Sequence, residues 1–437
     1  MLSTLKNAFK VKDIRNKIFF TLFVLVVFRI GSYITVPGVN AKALQSVASS
    51  GLVSILNMFS GGGLTNYSIF AMGVSPYITA QIVIQLLQMD IVPRYVEWSK
   101  QGEVGRRKLN QHTRYLTIIL AFVQSVGITA GFNTLSSLNL VNNPGPKTYA
   151  MIGIILTGGT MLTTWMGDMI TDHGLGNGVS MIIFAGIIAR IPTGIYQMYT
   201  TYFVDVAKSS WWKSGLFSLA ILILVLVIVV FVTWVNQADR KIPIQYTRRV
   251  SGDPDSSYLP LKVNVAGVIP VIFASSFIAT PQTILMAFSN NHSEDTWYQV
   301  LSNIFSMQTT GGITLYTILI ILFTFFYAFV QVNPEKLSEN LQKQGSYIPG
   351  VWPGHETQVY VSNLLMRLST VGALFLGFVA LIPLVAQNVW NLDESIGLGG
   401  TSLLIVVGVA IQTIQQIEGL MMKRHYIGFI QDPRPAE

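Results

Sequence analysis

The stretch GLFSLAILILVLVIVVFVTWV, residues 215–235, runs for 21 residues without a charged side chain. At 1.5 Å per residue, a helix of that length reaches roughly 30 Å, the thickness of the hydrocarbon core of a bilayer. Lipid offers a backbone no hydrogen-bonding partner, so a spanning segment must satisfy itself as a helix or within a closed barrel. Apolar runs near 20 residues indicate helices. The whole chain is of the same character: 437 residues with a mean hydropathy of +0.51, 51% apolar and 11% charged, where a soluble domain carries roughly 25% charged. An ordinary soluble fold is excluded.

Outward from this run, apolar windows of helical length recur near 18–36, 67–89, 115–133, 149–167, 178–195, 264–287, 312–331, 360–387 and 401–421. With residues 215–235 they predict an all-α membrane protein of ten transmembrane helices. An even number puts both termini on one side, and the 28 Lys and Arg residues say which. One side collects Lys6, Lys10, Lys12, Arg15 and Lys17; Arg94, Lys100, Arg106, Arg107, Lys108 and Arg114; Arg240, Lys241, Arg248, Arg249 and Lys262; Lys336 and Lys343; and Lys423, Arg424 and Arg434. The opposite loops hold only Lys42, Lys147, Lys208 and Lys213, while Arg29, Arg190 and Arg367 fall within spans or at their edges. Basic residues are retained on the cytoplasmic side, so both termini are expected there. The net charge of +8 then reads as topology, not nucleic-acid binding.

These windows divide the chain into a cytoplasmic tail (1–17), an N-terminal half of five spans (18–195), an external hinge loop (196–214), a C-terminal half of five spans (215–421) and a second cytoplasmic tail (422–437). Residues 1–36 imitate a secretory signal, but the apolar run is long and no small-residue cleavage site follows, so they read as a retained first span. Two cytoplasmic loops, 236–262 and 332–358, are too long for tight connections; they read either as docking surfaces or as plain solvated loops.

The oddest segment is Gly51–Asn66. Its apolar core, Leu52 to Phe59, is too short to cross the hydrocarbon and halts at Gly61, Gly62 and Gly63. Local sequence fits a short re-entrant helix lining an internal funnel and a simple surface loop equally well.

Little in the chain suggests covalent chemistry. There is no cysteine, and the five histidines, His112, His173, His292, His355 and His425, are scattered without ligand or catalytic spacing. No metal, cofactor or catalytic constellation is expected. The run GLGNG, residues 174–178, has neither a preceding strand nor a following lysine, so it reads as a glycine hinge opening a span and not as a phosphate loop. An ion-coupled transporter places carboxylates near the midplane, whereas Asp168 and Glu418 lie at span ends. Arg29, past the middle of the first span, either snorkels outward or serves in coupling.

Several segments, taken in order, resemble the SecY/Sec61 alpha family of protein-translocation channels. They are FRIGSYITVPGVN from Phe28, NMFSGGGL from Asn57, SIFAMGVSPYITAQIVIQLL from Ser68, EWSKQGEVGRRKLNQHTRY from Glu97 and TDHGLGNGVSMIIFAGI from Thr171. The second half continues with KIPIQYTRR from Lys241, YLPLKVNVAGVIPVIFASS from Tyr258, FVQVNPEKLSENLQKQGSYIPG from Phe329 and GGTSLLIVVGVAIQT from Gly399. The resemblance implies two pseudo-symmetric halves of five helices around a central hourglass pore. Such a channel passes unfolded preproteins across the bacterial plasma membrane and releases apolar segments sideways into lipid.

The resemblance also assigns residues. A ring of apolar side chains at the constriction would be Val74, Ile78, Val179, Ile183, Ile272 and Ile405, where the i, i+4 pairs share a helix face and a narrow apolar collar blocks ions by dewetting. Residues 51–66 would be the plug, a short re-entrant helix, with Leu52, Ile55, Leu56, Phe59, Gly61, Gly62 and Gly63. A lateral gate between the second and seventh spans would carry Gln85, Ser275 and Ser276. The cytoplasmic loops would receive the SecA motor or a ribosome, with Arg248 and Arg249 at one tip, and SecE and SecG would be the membrane partners. Trp352 departs from the family, which carries an arginine there that is important for coupling to SecA; indole lacks both the charge and the forked donors of guanidinium. No Walker A motif is present, so ATP would be hydrolysed by the partner.

Overall fold

The computed structural model describes residues 9–40, 57, 60–89, 91–135, 140–141, 144–204, 211–246, 258–292, 295–390 and 400–428. The plug residues Leu52, Ile55, Leu56 and Phe59 and the loop-tip residues Arg248 and Arg249 lie outside that set.

A helix falls in each of the ten apolar windows: α1 (Lys12–Gly31), α2 (Ser75–Leu87), α4 (Glu103–Leu135), α5 (Pro146–His173), α6 (Gly178–Tyr199), α7 (Trp211–Gln237), α8 (Ile269–His292), α10 (Thr310–Gln331), α12 (His355–Trp390) and α13 (Gly400–Gly428). Between them lie the shorter α3 (Pro93–Lys100), α9 (Thr296–Phe305) and α11 (Pro334–Lys343). Seven helices are long and apolar enough to cross a membrane among the described residues. Their starts follow local chemistry. Proline opens α2, α3, α5 and α11 within the first turn, where its missing N–H costs nothing. Asn177, Thr309 and Asn333 cap α6, α10 and α11 by accepting from the backbone N–H three residues on.

α7 shows why this chain needs lipid. Leu216, Leu219, Leu222, Ile223, Leu226, Val227, Val230 and Trp234 recur at helical spacing and are all exposed, while Ile221, Ile228, Val232 and Val235 on the other face are buried. In water such a stripe would be an aggregation surface; in hydrocarbon it is at home.

One window is only half helical. Residues 67–74, an apolar continuation of α2 on sequence, form turns. Their backbone is satisfied by the segment after α1: Val36 N–H donates to the Tyr67 carbonyl (3.0 Å) and Ile69 N–H to that of Ile34 (2.9 Å). α2 therefore keeps 13 residues, too few to cross roughly 30 Å alone.

The halves meet along two seams. On one, α8 packs against α2 and α4; on the other, α6 packs against α13. A buried apolar cluster fills the space between, drawing on α1, α2, α5, α6, α7, α8, α10, α12 and α13.

The two long loops form one appendage. β1 (Asp239–Pro243) pairs antiparallel with β3 (Tyr258–Lys262), with Asp239 opposite Lys262 and Pro243 opposite Tyr258. β2 (Gln245–Tyr246) pairs with β4 (Ser346–Tyr347) of the other loop, and Tyr347 Oη donates to Gln245 Oε1 at 2.9 Å. Ile242, Leu261 and Ile348 bury with Val361 and Leu365 of α12 as a small core of their own.

Candidate functional site

The six aliphatic residues expected at a constriction all belong to, or pack against, one extended buried apolar cluster. Val74, Ile78, Ile183, Ile272 and Ile405 are each at most 4% exposed and belong to the same buried cluster, with Val179 half-buried at its edge. They arrive from α2 and the turn before it, α6, α8 and α13, so both halves contribute. A collar of such side chains offers neither water nor ions a hydrogen bond and can part around a chain without breaking one.

The three glycines of the expected plug, Gly61, Gly62 and Gly63, are among the described residues. Gly61 and Gly62 take φ of +63° and +85°, the left-handed region where a side chain is strained. A Cβ on Gly61 would lie 3.1 Å from both the Cα of Gly186 on α6 and Cε1 of Phe28 on α1. The turn is thus seated between these helices. Gly62 N–H donates to the Asn57 carbonyl (2.9 Å) and Thr65 N–H to Asn57 Oδ1 (3.1 Å). Arg29 meets no carboxylate among the described residues: Nη1 donates to the Gly61 carbonyl and Nη2 to Tyr33 Oη at 3.0 Å.

The polar residues expected at the first seam do not bridge it. Ser275 Oγ donates back to the carbonyls of Val271 (2.9 Å) and Ile272 (3.0 Å) in its own helix. Gln85 Oε1 and Ser276 Oγ are buried without a hydrogen-bond partner among the described residues. The bridge is built by three other residues: Thr79 of α2 lies 3.1 Å from Thr280 of α8, oxygen to oxygen, and Gln124 Nε2 of α4 donates to the same Thr280 Oγ1 at 2.9 Å. Sequence gave no warning of this, because a helical threonine bonds equally well to its own preceding turn.

The second seam runs through GLGNG. Gly176, φ +81°, donates its N–H to Gln416 Oε1 of α13; Leu175 N–H donates to Thr21 Oγ1 of α1 at 3.0 Å, and Gly178 N–H to Thr171 Oγ1 of α5 at 2.9 Å. Leu175 packs with Ile14 and Ile417. The run ties four helices together, as a structural joint would.

Asp168 pairs with Arg114 of α4 at 2.6 Å, a half-exposed ion pair that accounts for this carboxylate structurally. Trp352 stands 81% exposed, and its carbonyl accepts from Thr357 Oγ1 at 2.8 Å. Among the described residues, no group of three or more His, Asp or Glu is placed to hold a metal.

Residues 68–414 match the family model described as SecY. Over 431 residues the chain is 66% identical to protein translocase subunit SecY 1 of Lactobacillus kefiranofaciens subsp. kefiranofaciens, covering 99% of this chain and 100% of that one. Among solved structures it resembles a SecY channel studied for how its plug domain stabilises the closed state and maintains a membrane seal, with a TM-score of 0.64 and 17% identity over 93% of this chain and 92% of that one. It also resembles Sec61 in the canine ribosome–channel complex from the endoplasmic reticulum, with a TM-score of 0.59, 17% identity and the same coverage.

Proposed function

We propose, from the premise that this chain belongs to the SecY family, a working scheme for it as the channel subunit of a protein translocase. The observation that carries the scheme is the buried aliphatic collar, to which α2, α6, α8 and α13 of both halves contribute. Ten helices span the membrane with both termini cytoplasmic, and α2 completes its crossing with the non-helical residues 67–74 that the 34–36 segment supports. The collar of Val74, Ile78, Val179, Ile183, Ile272 and Ile405 is the waist of an hourglass pore, and residues 51–66 plug its external funnel.

Opening needs one seam to part and the other to hold. The α2–α8 seam is the lateral gate, closed by the Thr79–Thr280–Gln124 bridge in place of Gln85, Ser275 and Ser276. Each of these threonines has a carbonyl of its own helix in reach, Thr79 that of Ser75 and Thr280 that of Ser276, so on parting each single hydroxyl proton can turn there, and only Gln124 Nε2 loses its acceptor. Interhelical bonds of this kind are worth about 0.6 kcal/mol on average, a barrier that an apolar signal segment can offset by binding.

The chain itself catalyses nothing in this scheme. SecA or a ribosome docks on the joined β1–β4 appendage and supplies the drive, while SecE and SecG accompany the channel in the plasma membrane. Arg248, Arg249 and the exposed Trp352 mark the docking face. The test is SecA- and ATP-dependent import of a signal-bearing precursor into proteoliposomes holding this chain with SecE and SecG, comparing the wild type with Trp352→Arg. Import that needs both SecA and ATP is expected, with a gain in Trp352→Arg. No import from either version, in vesicles where a control translocase works, overturns the scheme.

A further inference from the structure

We infer that Arg29 is the latch of the closed channel: its guanidinium clips the end of the plug segment to the first helix by binding backbone, not a carboxylate. The inference rests on the reading of residues 51–66 as a plug and names what holds that plug shut.

Arg29 lies in the last turn of α1 and is half-buried. A half-buried cation within an apolar segment needs compensation, and among the described residues no carboxylate pairs with it. Its compensation is the Gly61 carbonyl, accepting from Nη1, and Tyr33, which accepts from Nη2 through its hydroxyl and lies under the guanidinium with its ring centroid 4.9 Å from Cζ. Tyr33 thereby fixes the plane of the fork, so that the remaining donor points at the glycine turn.

The turn is shaped to receive it. The left-handed Gly61 and Gly62 need no side chain, and Nη1 passes 3.6 Å from where a Cβ on Gly62 would stand. Thr65 Oγ1 donates to the Gly62 carbonyl at 2.7 Å, so neighbouring carbonyls are separately satisfied and that of Gly61 is presented to Arg29. Beyond the turn the chain is fixed. Tyr67 Oη lies 2.6 Å from Thr129 Oγ1 of α4, and Val36 N–H holds the Tyr67 carbonyl. With Tyr67 held, moving the Gly61–Gly62 turn away from α1 requires Gly61 to leave Arg29. A carboxylate at Gly61's place would lock the segment with a full ion pair. A carbonyl is displaceable, because water entering the opening pore can accept from the guanidinium instead.

The test measures ion conductance of the assembled translocase in planar bilayers, before and after adding a synthetic signal peptide, for the wild type, Arg29→Gln, Arg29→Lys and Tyr33→Phe. Losing one charge-assisted hydrogen bond in a two-state closure shifts its population by roughly tenfold. Resting conductance is therefore expected to rise about tenfold in Arg29→Gln, less in Arg29→Lys and about two- to threefold in Tyr33→Phe. Peptide-opened conductance should stay at the wild-type level in all. If Arg29→Gln does not assemble, Arg29→Lys and Tyr33→Phe carry the test. Resting conductance equal to wild type in the variants, with each still opened by the peptide, overturns the latch alone. A wild-type complex that no signal peptide opens overturns the plug reading and the latch together.

Discussion

Both the α2–α8 seam and the α6–α13 seam join the N-terminal half to the C-terminal half, but the first is held by side chains that have somewhere else to go. Thr79 and Thr280 each keep a bond to their own helix while touching one another. Across the second seam the donor is the backbone N–H of Gly176, held at φ +81° in a loop whose Leu175 and Gly178 N–H groups donate to Thr21 and Thr171. Parting that seam releases a fixed turn that is also tied to α1 and α5, while the exposed Gly176 N–H can pass from Gln416 to water. The two interfaces are thus tied differently, one by side chains and the other through a backbone turn, and the proposed scheme takes the first as the gate and the second as the joint that holds.

The strongest blow to this contrast is Gly178→Ala. Its Cβ would lie 1.8 Å from the Gly167 carbonyl oxygen, so α5 and α6 must separate and carry the Gly176 loop with them. An overpacked backbone contact of this kind costs about 3 kcal/mol, seen as a large fall in the thermal midpoint of the assembled complex. An unchanged midpoint would mean that the hinge is not rigid. Next comes the collar between the seams. Ile183→Ser from the hinge side and Ile272→Ser from the gate side should each raise resting ion flux about tenfold, as expected for a dewetting barrier lowered by about 1.4 kcal/mol. If only one does so, the collar belongs to one seam.

A smaller effect sharpens the gate itself. A double-mutant cycle of Thr79→Val with Thr280→Val, read from the distance between spin labels across α2 and α8, should give a coupling near ~0.6 kcal/mol and at most ~1.7. A larger coupling would make the gate as firm as the hinge. The smallest effect is a control outside both seams. Lys343, bonded to Glu339 on α11, holds that carboxyl below its usual range. A depressed carboxyl stabilises above its unfolded pKa, and the contribution is lost as pH falls through the folded value. The slight advantage of wild type over Glu339→Gln should therefore be present at neutral pH and vanish in acid, with gate and hinge readouts unmoved.

The helices were legible because hydrocarbon imposes a length and a polarity that any window of sequence reports, and each of the ten windows holds a helix. The collar became legible through resemblance to the family. The gate bridge did not, since Thr79, Gln124 and Thr280 meet across separations of 201 and 156 residues and no local pattern marks which helical threonine turns outward. The non-helical 67–74 segment was hidden for a related reason. Its side chains are as apolar as a span's, and what keeps its backbone out of a helix is the distant 34–36 segment that satisfies it.

What the sequence by itself determined is therefore a matter of solvent: a chain this apolar, with apolar windows of spanning length along its whole course, belongs in a bilayer. Which side chains meet between helices was decided only in the tertiary structure. Hydrogen bonds between helices, such as Thr79 to Thr280 or Arg29 to Gly61, depend on direction and distance between segments that sequence keeps apart, while apolar burial depends only on being out of water.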